Sequence, residues 1–257
     1  MKKKTLGLLI LICSQACGQF ENLSEIWLQE YINDYGLDKL EHKNEFNSLD
    51  FAPLLIQTPP SHIYGVIGEN MQRIQIKWIS INKDSKNPDV YIVTGKTKVK
   101  DNICEFVGKL QIKTLRLYTN YDMPYDSKVT PQKIGVVFFT YTLIEQGTSE
   151  HSGVFKGISA TEFYLLNNKL IYNDFRAASD DMTNNQYVGT WTSNKSKQTL
   201  VCNWGDYRVP NVQDFDCGAA EFVPCEKYRK YGWTDLYKAK MQDDLEAQKR
   251  ELSEWWK

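Results

Sequence analysis

The segment R-I-Q-I-K-W-I-S-I, residues Arg73–Ile81, decides the fold class of this chain. In it, Ile74, Ile76 and Trp78 alternate with polar residues, which is the period-two pattern of a strand with one buried face. After Trp78 the apolar positions shift by one residue, to Ile79. A β-bulge introduces such a shift, and bulges supply the coiling that a sheet needs before it can close. The segment therefore predicts one strand of a curved antiparallel sheet.

Similar segments recur as far as Trp204, separated by short polar turns. The clearest hairpin is Phe163–Tyr172, because Asn167-Asn168 suits the left-handed backbone of a two-residue turn. The segment Ile134–Ile144 is apolar at nearly every position, which predicts a strand covered on one face by a barrel interior and on the other by a helix. Residues 61–204 are therefore expected to contain eight to ten strands. The remaining predicted strands are Tyr91–Val99, residues 103–113, Gly153–Ile158, Tyr187–Ser193 and Lys197–Trp204.

Short connections between these strands favour an up-and-down barrel over a Greek key, and closure removes exposed strand edges. The predicted fold is all-β and mainly antiparallel, with an N-terminal helix and a long C-terminal helix. In strand pattern the chain resembles a lipocalin-like (calycin) barrel, which implies eight strands around one small ligand. The Gly-x-Trp that lipocalins carry near the first strand is absent there. Gly189-Thr190-Trp191 occurs near the last strands instead.

Residues 1–18 are expected to be an export signal, with three lysines before an apolar run. That run, Leu6–Ile12, is too short to span a bilayer. The sequence Ser14-Gln15-Ala16-Cys17 is similar to a lipobox, which implies cleavage before Cys17 and lipidation of that residue. We therefore expect a membrane-anchored lipoprotein of the bacterial cell envelope, periplasmic or surface, tethered through its N-terminal lipid alone. The alternative is a soluble periplasmic or secreted protein, cut at the same bond or before Gln19.

The barrel is expected to be flanked by two further regions. Residues 19–60 predict a helix over Phe20–Tyr35 and then an irregular segment that leads into the sheet. Residues 205–257 predict a Cys-bearing loop region and a long helix packed on the barrel. A partner-binding or interfacial helix is the other interpretation of its narrow apolar stripe. The stripe consists of Tyr237, Met241, Leu245, Leu252 and Trp256.

Four cysteines remain when Cys13 and Cys17, in the predicted signal, are set aside. Four cysteines allow three pairings, and an exported protein is free to form them. Cys217 and Cys225 bracket a short loop and could form a local disulfide. Both Cys104 and Cys202 lie on apolar strand faces, which fits either two buried thiols or a bridge across the barrel. No Cys-x-x-Cys pair or nearby histidine favours zinc.

Charge and motifs exclude several classes of function. The chain has 31 basic and 32 acidic residues, so its formal net charge of −1 gives no electrostatic reason to expect nucleic acid. It carries no hydrolase elbow, phosphate-binding loop or dinucleotide fingerprint, and its three histidines are scattered. Glu162 and Glu221 are the carboxylate pair considered for glycoside hydrolysis. We therefore predict no catalytic residue, no metal and no cofactor.

The candidate ligand-binding residues are Trp191, Trp204, Asp206, Tyr207 and Arg208, near the ends of the last predicted strands. We expect them at one rim of the barrel, where barrel mouths commonly bind small molecules. There Trp204 would stack on a ligand, while Asp206 and Arg208 would form directional hydrogen bonds. The alternative is that Asp206 and Arg208 pair with each other and the aromatic rings seal the barrel end.

These expectations together describe an exported binding protein without catalytic activity. Its ligand would be a small apolar or glycan-like molecule, or a protein partner. One alternative is a cell-envelope or extracellular hydrolase with carboxylates at the barrel mouth. Another is an immunity or inhibitor-type protein. An open cavity with an aromatic lining would favour ligand carriage, two facing carboxylates would favour hydrolysis, and a filled barrel with an exposed aromatic patch would favour protein recognition.

Overall fold

The computed structural model describes residues 22–125, 127–148, 151–177 and 179–257. The predicted export signal and Cys17 lie outside these residues. Within them the helices are α1 (residues 22–34), α2 (Ala52–Ile56), α3 (Glu226–Arg229), α4 (Thr234–Met241) and α5 (Leu245–Glu251), with 3-10 turns at Lys43–Phe46, Pro60–His62 and Gln213–Phe215. The strands are β1 (Ile63–Ile67), β2 (Gln72–Lys83), β3 (Val90–Val99), β4 (Asn102–Leu117), β5 (Lys133–Glu145), β6 (Gly153–Leu166), β7 (Lys169–Tyr172), β8 (Asn184–Ser193) and β9 (Thr199–Asp206).

Eight of these strands close into an antiparallel barrel. Sequential strands pair from β1 to β6, β6 then pairs with β8, and β8 with β9. The ring closes because β1 pairs with both β2 and β9. The ninth strand, β7, lies outside the ring and extends β6 as a hairpin. The predicted antiparallel barrel of eight to ten strands is therefore confirmed, with eight strands in the ring.

Local sequence signals account for the shape of the strands. The ladder between β2 and β3 shifts register between Trp78 and Ser80, so the predicted bulge is confirmed. The turn from β6 to β7 is also confirmed, because Asn167 and Asn168 have φ angles of 51° and 60°. Both features depend on residues adjacent in the chain, which is why the sequence pattern alone predicts them.

The first half of strand β5 is buried on both faces, so the double coverage predicted for Ile134–Ile144 is confirmed as far as Phe139. Val137 and Phe139 point into the barrel and belong to its main core. Val136 and Phe138 point outward and pack beneath α1, where the edge of the Tyr31 ring contacts Phe138 at 5.3 Å between centroids. An outer helix and the barrel interior therefore remove the stretch from Gly135 to Phe139 from water, whereas Ile144, near the end of the strand, is 48% exposed.

The two ends of the barrel differ. At one end α2 inserts Leu54 and Leu55 into the core, and Phe51 beside it packs its ring against Phe163 at 5.4 Å. In the middle, Trp204 stacks on Tyr187 with 4.6 Å between centroids, in a buried layer of aromatic rings. The other members of this layer are Trp78, Phe106 and Tyr141. The opposite end is formed by the β1–β2, β3–β4, β5–β6 and β8–β9 connections, and Tyr231, between α3 and α4, reaches it from the C-terminal region.

The C-terminal region packs on the outside of the barrel but does not form the predicted long helix. Two short helices replace it because Asp243 adopts a left-handed backbone (φ 50°) and Asp244 caps α5 through the amides of Glu246 and Ala247. The expected apolar stripe is broken as a result, and Leu245 is 69% exposed. No helix in the described ranges is long and apolar enough to cross a bilayer.

The cysteine predictions have a mixed outcome. Cys217 and Cys225 form the predicted disulfide, which closes the loop between β9 and α3. Cys104 and Cys202 are free and buried, so of the two alternatives the structure selects separate thiols over a bridge across the barrel. Both point into the barrel, on β4 and β9.

Candidate functional site

A cavity of about 560 Å³ opens at the barrel end opposite α2. Its walls are mainly apolar and come from strands on all sides of the barrel, which include Ile67, Ile74, Phe155 and Leu200. Among the polar residues that line it, Thr97 on β3, Glu145 on β5 and Trp191 on β8 are joined by hydrogen bonds. The cavity stops at the layer of packed aromatic rings described above, so it occupies the mouth of the barrel and not its full length. A concave apolar site with a few converging polar groups is the usual form of a small-molecule site.

Glu145 is the buried carboxyl of this cavity. It is the last residue of β5, and alternation along the strand places it on the inward face with Tyr141 and Leu143. The residue is 4% exposed. One carboxylate oxygen accepts a hydrogen bond from the hydroxyl of Thr97. The other accepts from the backbone N–H of Gly153 at 2.9 Å and from Nε1–H of Trp191 at 2.8 Å.

The bond between Trp191 and Glu145 requires a glycine between them. Gly153 on β6 lies between the two strands that carry these side chains. A Cβ at Gly153 would lie 2.4 Å from Cε2 and 2.5 Å from Nε1 of Trp191, closer than real Cβ contacts come. The missing side chain lets the indole reach across β6 to the carboxylate, so three strands build this corner of the cavity together.

The electrostatics of Glu145 are dominated by burial. Loss of water raises the pKa of the Glu145 carboxyl, and the hydrogen bonds from Thr97, Trp191 and Gly153 offset the increase only in part. All three donors are neutral, and within the described ranges no Lys or Arg forms an ion pair with Glu145. Its negative charge therefore lacks a cationic partner in this part of the protein.

The five residues predicted to share one rim do not lie together, so that prediction is wrong in its geometry. Trp191 is at the mouth, opposite Leu200. Asp206 is the last residue of β9 and lies opposite Asn184, at the barrel end that α2 covers, which we call the closed end. Leu200 and Asp206 are six residues apart on one strand, a span of about 20 Å. Trp204 lies between these levels and is 1% exposed in the aromatic layer. The separation follows from strand geometry, because Trp191 lies near the mouth end of β8 whereas Asp206 is the last residue of β9 at the other end of the barrel.

Asp206 holds the closed end of the barrel together. Its Oδ2 accepts hydrogen bonds from Thr58 Oγ1 (2.6 Å), Tyr172 OH (2.8 Å) and Asn185 Nδ2 (2.8 Å). Asn185 also donates to the carbonyl of Leu54 in α2 at 2.9 Å, so the network reaches the helix that closes this end. Burial raises the pKa of Asp206 to about 7, although the three hydrogen bonds favour the ionised form.

Arg208 pairs with Asp216 and not with Asp206, so the Asp206–Arg208 pair considered as the alternative does not form. The guanidinium also donates to the carbonyl of Asp180 at 2.6 Å and thereby joins two loops at the closed end. Tyr207, which has a left-handed backbone (φ 66°), places its ring 5.6 Å from His62. These contacts give Arg208 and Tyr207 structural roles at the end of the barrel away from the mouth.

Sequence reasoning found Trp191 but missed Glu145, Thr97 and Gly153. A signal for Glu145 was available, because it continues the inward alternation of Tyr141 and Leu143 as the first charged residue after an apolar strand. No local signal places Thr97 beside it, because they are 48 residues apart and on strands separated by β4.

The carboxylates considered for glycoside hydrolysis lie in different clusters. Glu162 is buried, with hydrogen bonds from Tyr31 at 2.8 Å and Arg176 at 2.9 Å, and fastens α1 to the outside of the barrel. Glu221 lies in the C-terminal region and pairs with Lys240. Neither side chain lines the mouth cavity. Among the residues that the structure describes, no group of three or more His, Cys, Asp or Glu side chains is placed to hold a metal ion.

Comparison of the chain with protein-family models, curated proteins and solved structures gives no indication of its family. None of the three comparisons returned a match. The case for function therefore depends on the barrel mouth itself.

Proposed function

We propose that this protein binds a small molecule in the open mouth of its barrel. The observation that supports the proposal is the cavity of about 560 Å³ into which Glu145, Thr97 and Trp191 project from three different strands. Its volume lies within the range of about 300–1,000 Å³ that is usual for small-molecule sites. Binding is proposed as the activity in itself, without a chemical step.

The filled interior sets the depth to which a ligand enters. Trp204, Tyr187 and Phe106 occupy the middle of the barrel, so a ligand would rest on this layer and reach outward to the mouth. The rigid barrel presents Trp191 and Phe155 as preformed apolar surfaces, which lowers the entropy cost of binding. This arrangement favours a compact ligand over a long lipid chain that would need the full length of the barrel.

We also propose that the barrel is used as lipocalin-like barrels are, with one end closed and a ligand admitted at the other. The closed eight-strand ring and the helix α2 at one end support this proposal. Gly189-Thr190-Trp191 lies on β8 and brings its tryptophan to the mouth. The proposal concerns the use of the cavity and does not require common descent.

The test is native mass spectrometry and calorimetry on protein purified from its source and on two cavity variants. Trp191→Ala removes the aromatic wall, whereas Leu200→Trp fills the cavity and leaves Glu145 and its donors in place. We expect a ligand of defined mass on the wild type, and at least about tenfold weaker binding of that ligand by each variant. Trp256→Ala, which changes a tryptophan outside the cavity, is the matched control.

The same experiment separates the alternatives. A ligand that both cavity variants retain at wild-type affinity would contradict the mouth site. If the purified wild type carries a protein in place of a small molecule, the immunity or inhibitor-type function is favoured. Hydrolysis of a glycan by the wild type, abolished in Glu145→Gln, would favour the hydrolase. A hydrolase also needs a second carboxylate near Glu145, and the other carboxylate in the cavity lining is Asp101, on the exposed rim.

We propose that the protein acts outside the cytoplasm, anchored through lipid on Cys17. The disulfide Cys217–Cys225 supports an oxidising compartment. The basic and apolar pattern of residues 1–18 supports export. Cys17→Ala should move the protein from the membrane fraction to the soluble fraction when cells are fractionated. Membrane association that is unchanged in this variant would remove the lipid anchor from the proposal.

A further inference from the structure

The cavity at the barrel mouth has a chemical bias that narrows its ligand class. We infer that the mouth takes a small organic cation, an amine with an apolar or aromatic body, whose charged nitrogen lies against the carboxylate of Glu145. The inference rests on the proposed small-molecule function and goes further by naming the ligand chemistry. It starts from a carboxylate that is buried beside a cavity and lacks a cationic partner in the described structure.

A buried carboxylate destabilises a fold unless hydrogen bonds and an opposite charge compensate for the lost water. Glu145 has hydrogen bonds from Thr97, Gly153 and Trp191, all of which are neutral. A carboxylate can accept about four hydrogen bonds, so one acceptor position remains beyond these three. An ammonium N–H would supply both the fourth hydrogen bond and the opposite charge. Burial of Glu145 raises its pKa, which agrees with a charge that is not yet compensated.

The cavity itself distinguishes Glu145 from a carboxyl that has a structural role alone. Asp206 is buried to the same degree and also accepts three hydrogen bonds from neutral donors. It belongs to the closed end, however, where its network fastens α2, and it does not line the mouth cavity. Glu145 does line it, so a ligand in the mouth can approach this carboxylate.

The other walls fit the body of such a cation. Trp191 and Phe155 present aromatic surfaces, and tryptophan attracts cations through its ring face. Ile74 and Leu200 add aliphatic surface for an apolar group. A neutral sugar would gain less from Glu145, because it carries no charge to compensate the carboxylate.

Three other charged or titratable residues of the cavity lining, Lys100, Asp101 and His151, are exposed, and Tyr231 is half-buried. Lys100 and Asp101, in the β3–β4 turn, are exposed and opposite in sign. His151 lines the cavity from the β5–β6 connection, and the thiol of Cys104 lies beside it, hydrogen-bonded to the His151 carbonyl at 3.2 Å. Salt and water screen exposed charges much more than buried ones, so Glu145 should dominate the field that a ligand experiences.

The test compares amines with their neutral analogues by isothermal titration calorimetry on the purified protein. Phenethylamine is paired with 2-phenylethanol, and cyclohexylamine with cyclohexanol, so each pair has a similar shape and differs in charge. We expect at least one amine to bind about tenfold more tightly than its alcohol, and this preference to fall to about twofold or less in Glu145→Gln. Glu105→Gln, which removes an exposed carboxylate from an outer ion pair with Lys96, should retain the preference.

A measurement on the wild type covers the case in which Glu145→Gln does not fold. Carboxyl ¹³C NMR of glutamate-labelled protein should show one glutamate resonance that shifts with the amine and stays in place with the alcohol. A set of glutamate resonances that the amine leaves unchanged would overturn the inference.

The outcomes for the two proposals are distinguishable. If alcohols bind in the mouth as tightly as amines, the cationic class is overturned and the small-molecule function stands. If the preference for amines survives in a folded Glu145→Gln variant, the role of Glu145 is overturned. If no amine or alcohol binds at concentrations on the order of 10 mM, the cationic class falls. A ligand that nevertheless copurifies with the wild type and is lost from Leu200→Trp would preserve the mouth site.

Discussion

The buried carboxyl of Asp206 should make the stability of this protein depend on pH in a way that one substitution removes. Asp206→Asn replaces the carboxyl with an amide of the same shape that cannot ionise. The amide oxygen can take the position of Oδ2 and accept the hydrogen bonds from Thr58, Tyr172 and Asn185. The substitution therefore tests the charge of Asp206 while it keeps most of the network at the closed end.

The sign of the effect follows from the pKa of the carboxyl in the two states. Burial raises the pKa of Asp206 from its ordinary value of 3.8 to about 7 in the folded protein. Between these values the folded state binds a proton that the unfolded state releases, so a rise in pH through this window lowers the free energy of unfolding. At about 1.4 kcal/mol per pH unit, the full difference amounts to about 4 kcal/mol, and the window from pH 5 to 7 accounts for about 2 kcal/mol because the carboxyl is still half protonated at pH 7.

The assay is guanidinium unfolding of the wild type and Asp206→Asn at several values between about pH 5 and pH 8. The free energy of unfolding of the variant minus that of the wild type should rise by about 2 kcal/mol from pH 5 to pH 7 and level off near pH 8. Other titrating groups contribute equally to both proteins and cancel in this difference. Asp101→Asn, at an exposed position, controls for the loss of one negative charge. A difference that stays flat, or falls as pH rises, would refute the assignment of this proton to Asp206.

Three further predictions concern how the outer parts and the mouth are held. Arg73→Ala should lower the free energy of unfolding by about 1.5–3 kcal/mol, because Arg73 forms a partly buried ion pair with Glu251 through two hydrogen bonds (2.7 and 2.6 Å). Amide hydrogen exchange in α5 should be faster in this variant than in the wild type. Arg250→Ala, which breaks an exposed pair on the same helix, should cost about 1 kcal/mol or less, and equal losses would contradict the role of burial. Reduction of the Cys217–Cys225 disulfide should lower the free energy of unfolding by about 2–3 kcal/mol, measured from the shift in the guanidinium midpoint. An unchanged midpoint would contradict a stabilising role for this disulfide. Gly153→Ala should lower the free energy of unfolding by about 1–3 kcal/mol and shift the indole N–H resonance of Trp191. An unchanged resonance would show that the indole keeps its position when residue 153 has a side chain.

The parts of the fold that the sequence predicted correctly depend on neighbouring residues. The bulge after Trp78 and the turn at Asn167-Asn168 each appear within a few residues of the chain. The double coverage of the first half of β5 is likewise visible in the continuous apolar run Ile134–Ile144. These features are local because strand alternation and turn conformation depend on adjacent side chains.

The errors arose where position along a strand or a backbone break had to be known. Trp191 and Asp206 looked like members of one rim, because sequence does not show which strand end faces which opening. The C-terminal helix looked continuous because its apolar spacing passes through Asp243, whose left-handed backbone interrupts it. In both cases a correct local pattern was extended beyond the distance over which it holds.

By itself, the sequence determined that the chain forms alternating strands that curl into a barrel, and that Cys217 and Cys225 are close enough to bridge. Only the tertiary structure decided which end stays open and which carboxyl faces a cavity. The hydrogen bonds that settle these points join distant residues, such as Thr97 to Glu145 and Thr58 to Asp206, which are 48 and 148 positions apart. These contacts form only when the barrel closes. The residues involved are far apart along the chain, so no local sequence pattern predicts that they meet.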